Sequence, residues 1–240
     1  FAINNKLDFI AHSFVRNKED IIAIQKILEK SKSRIKIIAK IENQEGVDNI
    51  TEILDYAYGI MVARGDLGVE IPAEKIPHIQ KMIIKKAIEH KKPVIVATQM
   101  LHSMIKNPRP TRAEISDVAH AIYDGTDAIM LSGETAYGEY PIDAVKTMSS
   151  IISEIESTKE YHISNIQVTK PSIFLAKAAV EASFQLPIHY IILDTLTGKS
   201  ARYIAAFRGK TIVLAQCYNE QVMRQLALSY GIYAHIAESR

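Results

Sequence analysis

One lysine and two carboxylates lie at the ends of apolar segments, where groups of opposite charge could do chemistry together. Lys40 and Glu42 end the segment IIAKIE, and Asp66 follows the apolar residues IMVA. Because strand side chains alternate between faces, Lys40 and Glu42 share one face. Two carboxylates can hold Mg²⁺, which keeps other positions for phosphate oxygens and water. A lysine beside them could neutralise charge that develops on a transferred phosphoryl group or an enolate.

These residues also have ordinary structural explanations. A single buried Lys or Glu at a strand end is more often a salt-bridged scaffold residue than a catalytic one. The sequence RGDLG at 64–68 could be a tight turn, or it could present the amides of Gly65, Asp66 and Leu67 to a carboxylate. Thr98 could be a routine strand-end hydroxyl, or it could bind substrate or relay a proton. Spacing alone leaves these alternatives open.

Five apolar segments, each followed by a helix-like pattern, must position these residues. They start at Leu7, Ile35, Gly59, Pro93 and Asp127, at intervals of 24 to 34 residues. Strands that alternate with helices in this way predict a parallel sheet. Polar residues at the carboxyl ends of the strands favour a barrel, whose mouth would gather them. Because five units cannot close an eight-stranded barrel, we expect three units to lie outside this chain.

The strand–helix pattern breaks in a polar stretch and then resumes. We predict three regions, namely a partial barrel domain at 1–157, a linker at 158–170 and a partial smaller α/β domain at 171–240. The second domain should contain alternating elements, with strands at 188–193 and 211–215 and helices at 172–186, 199–207 and 219–230. This pattern is again typical of a parallel sheet.

A loop of the second domain combines hydroxyls, a glycine and a lysine before a predicted helix. Its residues are Thr195, Thr197, Gly198, Lys199 and Ser200. Such a loop could hold a phosphate group at the helix N-terminus, or it could simply cap the helix. A nucleotide-hydrolysing P-loop would need a glycine where the sequence has Leu193, so that interpretation is unfavourable.

The composition is that of an ordinary globular protein, with 48% hydrophobic and 23% charged residues among 240. A net charge of +2 gives no electrostatic case for nucleic acid or an anionic membrane. No apolar run approaches the roughly 18 residues that a membrane span needs. Cys217 is the only cysteine, so a cytoplasmic location is expected. The chain begins with Phe1 rather than Met, which we interpret as a piece of a longer protein.

Five motifs together resemble one enzyme family. They are IAKIENQEG at 38–46, IMVARGDLGVEI at 60–71, ATQML at 97–101, NPRPTRAE at 107–114 and IMLSGETA at 129–136. The sequence is similar to the pyruvate kinases over nearly its whole length, more thinly after about position 157. The resemblance implies a (β/α)8 TIM barrel, of which this chain would supply strands four to eight, followed by part of a smaller α/β domain.

The resemblance implies phosphoryl transfer from phosphoenolpyruvate to ADP, giving pyruvate and ATP in the final step of glycolysis. Lys40 and Thr98 would be catalytic, and Gly65 and Asp66 would join them in binding the substrate. Glu42 and Asp66 would hold Mg²⁺ or Mn²⁺. The loop at 195–200 resembles the family's effector-phosphate loop. A K⁺ ion is also implied, with ligands outside this chain.

The resemblance also implies a homotetramer for the full-length protein and no nucleic-acid or membrane partner. We expect the chain by itself to be inactive, because half of the ligand sphere would lie outside it. One alternative is a non-catalytic assembly or regulatory fragment. Another is a different Mg²⁺-dependent barrel enzyme acting on pyruvate or phosphoenolpyruvate, against which the motif at 107–114 and the loop at 195–200 argue.

Overall fold

The computed structural model describes residues 1–238, which form two parallel sheets covered by helices. The first sheet has the strand order β1-β2-β3-β4-β5 and the second the order β6-β7-β8. The strands of the first sheet are β1 (Phe9–His12), β2 (Lys36–Ile41), β3 (Gly59–Ala63), β4 (Val94–Ala97) and β5 (Ala128–Met130). Those of the second are β6 (Tyr190–Thr195), β7 (Ile212–Cys217) and β8 (Ile232–Ile236).

Helices lie between successive strands, as a parallel sheet requires. In the first domain they are α1 (Lys18–Lys30), α2 (Gln44–Asp48), α3 (Ile50–Tyr56), α4 (Arg64–Glu70), α5 (Ile76–Glu89), α6 (Arg112–Tyr123), α7 (Gly133–Ala136) and α8 (Pro141–Thr158). In the second they are α9 (Pro171–Gln185), α10 (Lys199–Ala206) and α11 (Glu220–Leu226). Within residues 1–238, every helix is too short or too polar to cross a lipid bilayer.

Alternation along β2 divides its side chains between two environments. Ile37 and Ile41 belong to the large core between the sheet and its helices, whereas Ile38 packs with Met61 and Ile95 on the other face. The parallel register pairs Lys40 with Met61. Lys40 therefore extends from the same face as the small Ile38 layer, at the carboxyl end of the sheet.

The parallel strands confirm the predicted α/β class, but the local structure differs from expectation in three places. The sequence at 64–68, interpreted as a tight turn, is the first part of α4. The helix predicted at 219–230 ends at Leu226, and Gly231, with φ of 65°, precedes strand β8, which had not been predicted. Glycine readily adopts this left-handed conformation, so it allows the chain to turn into the strand.

Residues 159–170 contain no helix or strand and connect α8 to α9. A buried ion pair joins the two domains beyond this connection. Arg208 Nη2 lies 2.6 Å from Asp127 Oδ2, and the two side chains are 8% and 3% exposed. The remaining acceptor capacity of Asp127 is used as well, because Oδ2 accepts the Val94 amide and Oδ1 accepts the Tyr230 amide. Asp127 thus connects β4, the start of β5 and the second domain.

Replacing Asp127 by Asn should destabilise the protein, because an amide N–H would face groups that all donate. We expect the free energy of unfolding to fall by about 3–5 kcal/mol in urea titrations of Asp127→Asn. The matched control is Glu181→Gln, which removes the exposed Lys177–Glu181 pair and should cost no more than about 1 kcal/mol. Equal losses in the two variants would contradict a special role for the buried pair.

Candidate active site

The Lys40 ammonium and the Glu42 carboxylate form a close ion pair at the end of β2. Lys40 Nζ lies 2.6 Å from Glu42 Oε1 and donates to Ser13 Oγ at 3.0 Å. Glu42 Oε2 accepts the Phe14 amide at 2.6 Å. Glu42 is only 2% exposed, yet each of its oxygens has a donor. The segment after β1 therefore completes the environment of both charged groups.

The two carboxylates of the site influence each other's protonation. Burial alone would raise the pKa of Glu42, but hydrogen bonds from Lys40 and from the Phe14 amide outweigh it and hold the pKa below the usual value. The pKa of Asp66 is raised, first by burial and then by its hydrogen bond with Glu42 and the negative charge there. Glu42 and Asp66 are therefore close neighbours that repel each other.

A divalent cation would relieve this repulsion, so the residues present fit a magnesium-type ion. Residues 1–238 contain no group of three or more His, Cys, Asp or Glu side chains that could hold a metal. The protein ligands in the described part of the chain would therefore be only two. Glu42 and Asp66 would be the carboxylate ligands, leaving the other positions of the ion for substrate oxygens and water. This division is the one that Mg²⁺ favours in sites that bind phosphates.

Thr98, the residue after β4, is held in a strained conformation beside α4. Its φ is 67° and that of Gln99 is 55°, a region that β-branched residues rarely enter. The Thr98 hydroxyl accepts the Gly65 amide at 2.8 Å and donates to the Ala97 carbonyl at 2.6 Å. The Gly65 amide, predicted to bind substrate, is thus engaged by Thr98, and a Cβ on Gly65 would lie 3.3 Å from the same hydroxyl.

Arg64, which the sequence analysis did not single out, holds this strained segment. Its guanidinium donates to the Thr98 carbonyl at 2.8 Å and to both carboxylate oxygens of Asp117 at 2.6 Å. The side chain is buried, and it connects α4 to the end of β4 and to α6. The sequence could have suggested that Arg64 pairs with a carboxylate of α6. Its contact with Thr98 could not have been suggested, because that contact depends on the backbone turn at Thr98.

Glu134 and the loop at 195–200 occupy different surroundings. Glu134 is buried and accepts the Leu101 and Ser132 amides, so it joins two strand-end loops. Thr195 is buried, and its hydroxyl accepts the Gly198 amide at 3.0 Å. Gly198, with φ of 74°, precedes α10 and provides no side-chain cap for it. The exposed members of the loop are Leu196, Thr197, Lys199 and Ser200.

The combination of parallel β/α units with charged side chains gathered at the carboxyl ends of the strands is typical of the barrel enzymes. Residues 1–145 match the family "Pyruvate kinase, barrel domain", and residues 174–240 match "Pyruvate kinase, alpha/beta domain". The chain belongs to the pyruvate kinase family. This result confirms the predicted partial TIM barrel and the smaller α/β domain.

Similar proteins cover the chain almost completely. It is 51% identical to the pyruvate kinase of Borreliella burgdorferi, over 99% of this chain and 51% of that protein. It is 52% identical to the pyruvate kinase of Geobacillus stearothermophilus, over 97% and 41% respectively. A crystal structure of a pyruvate kinase from Cryptosporidium parvum superposes with a TM-score of 0.96 at 43% identity, over 100% of this chain and 51% of that one. The chain spans about half the length of these relatives.

Thr98 offers a test of this local geometry. Thr98→Val keeps the shape of the side chain but leaves the Gly65 amide without its acceptor, which should cost about 1–3 kcal/mol of unfolding free energy. Thr98→Ser keeps the hydroxyl and should remain within about 0.5 kcal/mol of the original protein. Urea unfolding of the two variants would measure both changes in the free energy of unfolding. Equal stability would mean that the hydroxyl does not support Gly65.

Proposed function

We propose that this chain carries the phosphoenolpyruvate- and metal-binding part of a pyruvate kinase, which transfers a phosphoryl group to ADP. The observation that supports this most strongly is the cluster at the strand ends, where the Lys40 ammonium lies 2.6 Å from Glu42 and Asp66 is close to that carboxylate. Membership of the family supplies the reaction class. Other barrel enzymes that act on phosphorylated substrates could use similar charges, so the substrate has to be tested directly.

In the proposed reaction, the bond between phosphorus and the C2 oxygen of phosphoenolpyruvate breaks while a β-phosphate oxygen of ADP bonds to phosphorus. The electron pair remains on the C2 oxygen as an enolate, which takes a proton at C3 to give pyruvate. Lys40 would stabilise the negative charge that develops on this oxygen and on the transferred group. Glu42 and Ser13 position the ammonium for this role, since both contact Lys40 Nζ.

Thr98 and the first turn of α4 would hold the substrate. The Thr98 hydroxyl would lie near the carbon that is protonated, and it already contacts Gly65. The Gly65 and Asp66 amides would bind the substrate carboxylate, with Gly65 exchanging its hydroxyl acceptor for a carboxylate oxygen. Glu42 and Asp66 would hold Mg²⁺ or Mn²⁺, which when bound would supply positive charge that offsets the negative charge of the substrate.

Other properties of the family complete the proposal. They are a K⁺ requirement with ligands outside this chain, assembly as a homotetramer and a cytoplasmic location. For the loop that includes Thr195, we propose effector-phosphate binding by Thr197, Gly198, Lys199 and Ser200. The absence of a side-chain cap on α10 supports this, because the first amides of that helix remain available to an anion.

Lys40→Met should lower kcat for pyruvate formation by at least about 10³-fold, because the residue would no longer oppose charge in the transition state. The assay uses the native protein that contains this chain, with phosphoenolpyruvate, ADP, Mg²⁺ and K⁺. Lys85→Met, which changes an exposed lysine of α5, is the control and should retain full activity. Equal activity in the two variants would mean that the assigned site is wrong.

The same assay separates the alternatives. The chain alone should produce no pyruvate, and steady turnover by the chain would contradict that expectation. An inactive native protein would favour the assembly or regulatory role instead. Activity on pyruvate or phosphoenolpyruvate without any ATP formation from ADP would favour a different Mg²⁺-dependent barrel enzyme.

Metal binding can be measured without turnover. We expect Mn²⁺ binding to the chain, followed by electron paramagnetic resonance, to weaken at least about tenfold in Glu42→Gln and in Asp66→Asn. Glu89→Gln alters an exposed carboxylate at the end of α5 and should leave the affinity unchanged. If all three variants bound Mn²⁺ as tightly as the original chain, Glu42 and Asp66 would not be the ligands.

A further inference from the structure

A second group of cations lies at the amino ends of the barrel strands, opposite the end that carries Lys40. Lys36 is the first residue of β2, Tyr58 precedes β3, and Lys92 lies just before β4. Arg202 reaches this place from α10 of the second domain. We call Lys36, Lys92 and Arg202, gathered around Tyr58, the seam cluster.

The contacts within the seam cluster are close. The Arg202 guanidinium lies 4.8 Å from the centre of the Tyr58 ring and donates to the Tyr58 hydroxyl at 3.2 Å. Lys36 Nζ is 5.8 Å from the same ring. Lys92 Nζ donates to the Ala57 carbonyl at 2.6 Å. Arg202 and Lys36 therefore both contact Tyr58, and Lys92 contacts the residue before it.

The cations of the seam cluster form no direct ion pair with a carboxylate. In the part of the chain that the structure describes, none of its three cations lies within 4.0 Å of a carboxylate oxygen. The pKa of Lys92 is lowered by burial first and then by the charge of Arg202, with Asp55 as the opposing anion. The pKa of Lys36 is lowered by burial and by Arg202 and Arg34. The cations thus repel one another in a partly desolvated place.

A cavity beside the cluster has room for a small ligand. Its volume is about 350 Å³, and its walls include Lys36, Lys92, Tyr56 and Tyr58. Arg202 lies outside these walls and lines a small neighbouring space together with Lys92. Pockets that bind small molecules start at about this size. Ser33 also lines the cavity and offers a hydroxyl, while Glu29 contributes one carboxylate to the wall without pairing with either lysine.

We propose that Lys36, Lys92 and Arg202 form a binding site for a phosphate monoester at the seam between the two domains. A phosphate dianion in the cavity would be bound by the two ammonium groups that line it. The Arg202 guanidinium, which donates to the Tyr58 hydroxyl, would add positive charge beside it, and this suits a dianion better than a singly charged carboxylate. The tyrosine rings would contact the organic part of the ester. Because the lysines belong to the barrel and Arg202 to the second domain, the bound ligand would connect the domains.

This site differs from the loop at 195–200, although Arg202 lies near both. Arg202 Nη1 donates to the Thr197 carbonyl at 3.3 Å, so the side chain bridges the loop and the seam cluster. The barrel lysines distinguish the two sites. An anion held by the loop would depend on Thr197 and Ser200, whereas an anion in the seam would depend on Lys36 and Lys92.

Phenyl phosphate and inorganic phosphate are suitable probes, titrated into the chain by calorimetry and by thermal unfolding at constant ionic strength. We expect phenyl phosphate to raise the melting temperature by roughly 3–6 °C at ten times its Kd. Lys36→Met combined with Lys92→Met should weaken binding at least about tenfold. Lys85→Met should bind as the original chain does. Thr197→Ala combined with Ser200→Ala should remove only the binding that depends on the loop and should leave the binding that depends on Lys36 and Lys92 unchanged.

The melting temperature of each variant without the anion shows whether a loss of binding comes merely from a failure to fold. Lys36→Met should melt no lower than the original chain, because it removes repulsion and no hydrogen bond that the structure shows. Lack of binding by the original chain would overturn the proposal, as would equal binding by the lysine double variant and Lys85→Met. Loss of binding only in the Thr197 and Ser200 variant would place the anion at the loop instead and would also overturn it.

Discussion

A buried carboxylate that must remain charged is the constraint around which the candidate site is arranged. Glu42 is almost inaccessible, so its charge depends on the Lys40 ammonium and on the Phe14 amide. The amide reaches it only because β1 and β2 are paired in one register, and because Phe14 adopts a φ of 54°. Shifting β2 by one residue would turn Lys40 into the helix-facing core. The charge of Glu42 therefore depends on the register in which the strands pair.

The strained backbone at the end of β4 is stabilised by hydrogen bonds to neighbouring groups. Thr98 and Gln99 both have positive φ, which costs of order 1–3 kcal/mol per residue. The guanidinium of Arg64 binds the Thr98 carbonyl, and the Thr98 hydroxyl binds the Gly65 amide. These hydrogen bonds offset part of that cost and fix the hydroxyl against the first turn of α4, the helix that carries Asp66. Such strain is typical of segments whose conformation serves binding more than stability.

Much of the architecture could be predicted because it depends on local periodicity. Alternation placed Lys40 and Glu42 on one face, and the spacing of apolar segments indicated parallel strands. The missed features depend on tertiary contacts. The segment after β3 begins a helix although it contains two glycines, because buried Arg64 and Leu67 anchor it. The role of Arg64 and the occupied Gly65 amide could not be inferred, since both require the strained turn at Thr98.

The two ends of the barrel sheet carry an excess of charge of opposite sign. At the carboxyl end, carboxylates crowd together beside a single lysine, and a divalent cation would complete the balance. At the amino end, the cations Lys36, Lys92 and Arg202 have no paired acid, and a bound anion would balance their charge. Asp127 lies between the second domain and β4, and its pair with Arg208 keeps α10 against the barrel. The position of Arg202, and with it the charge balance at the seam, therefore depends on this buried ion pair, so the seam would respond to any rearrangement of the domains.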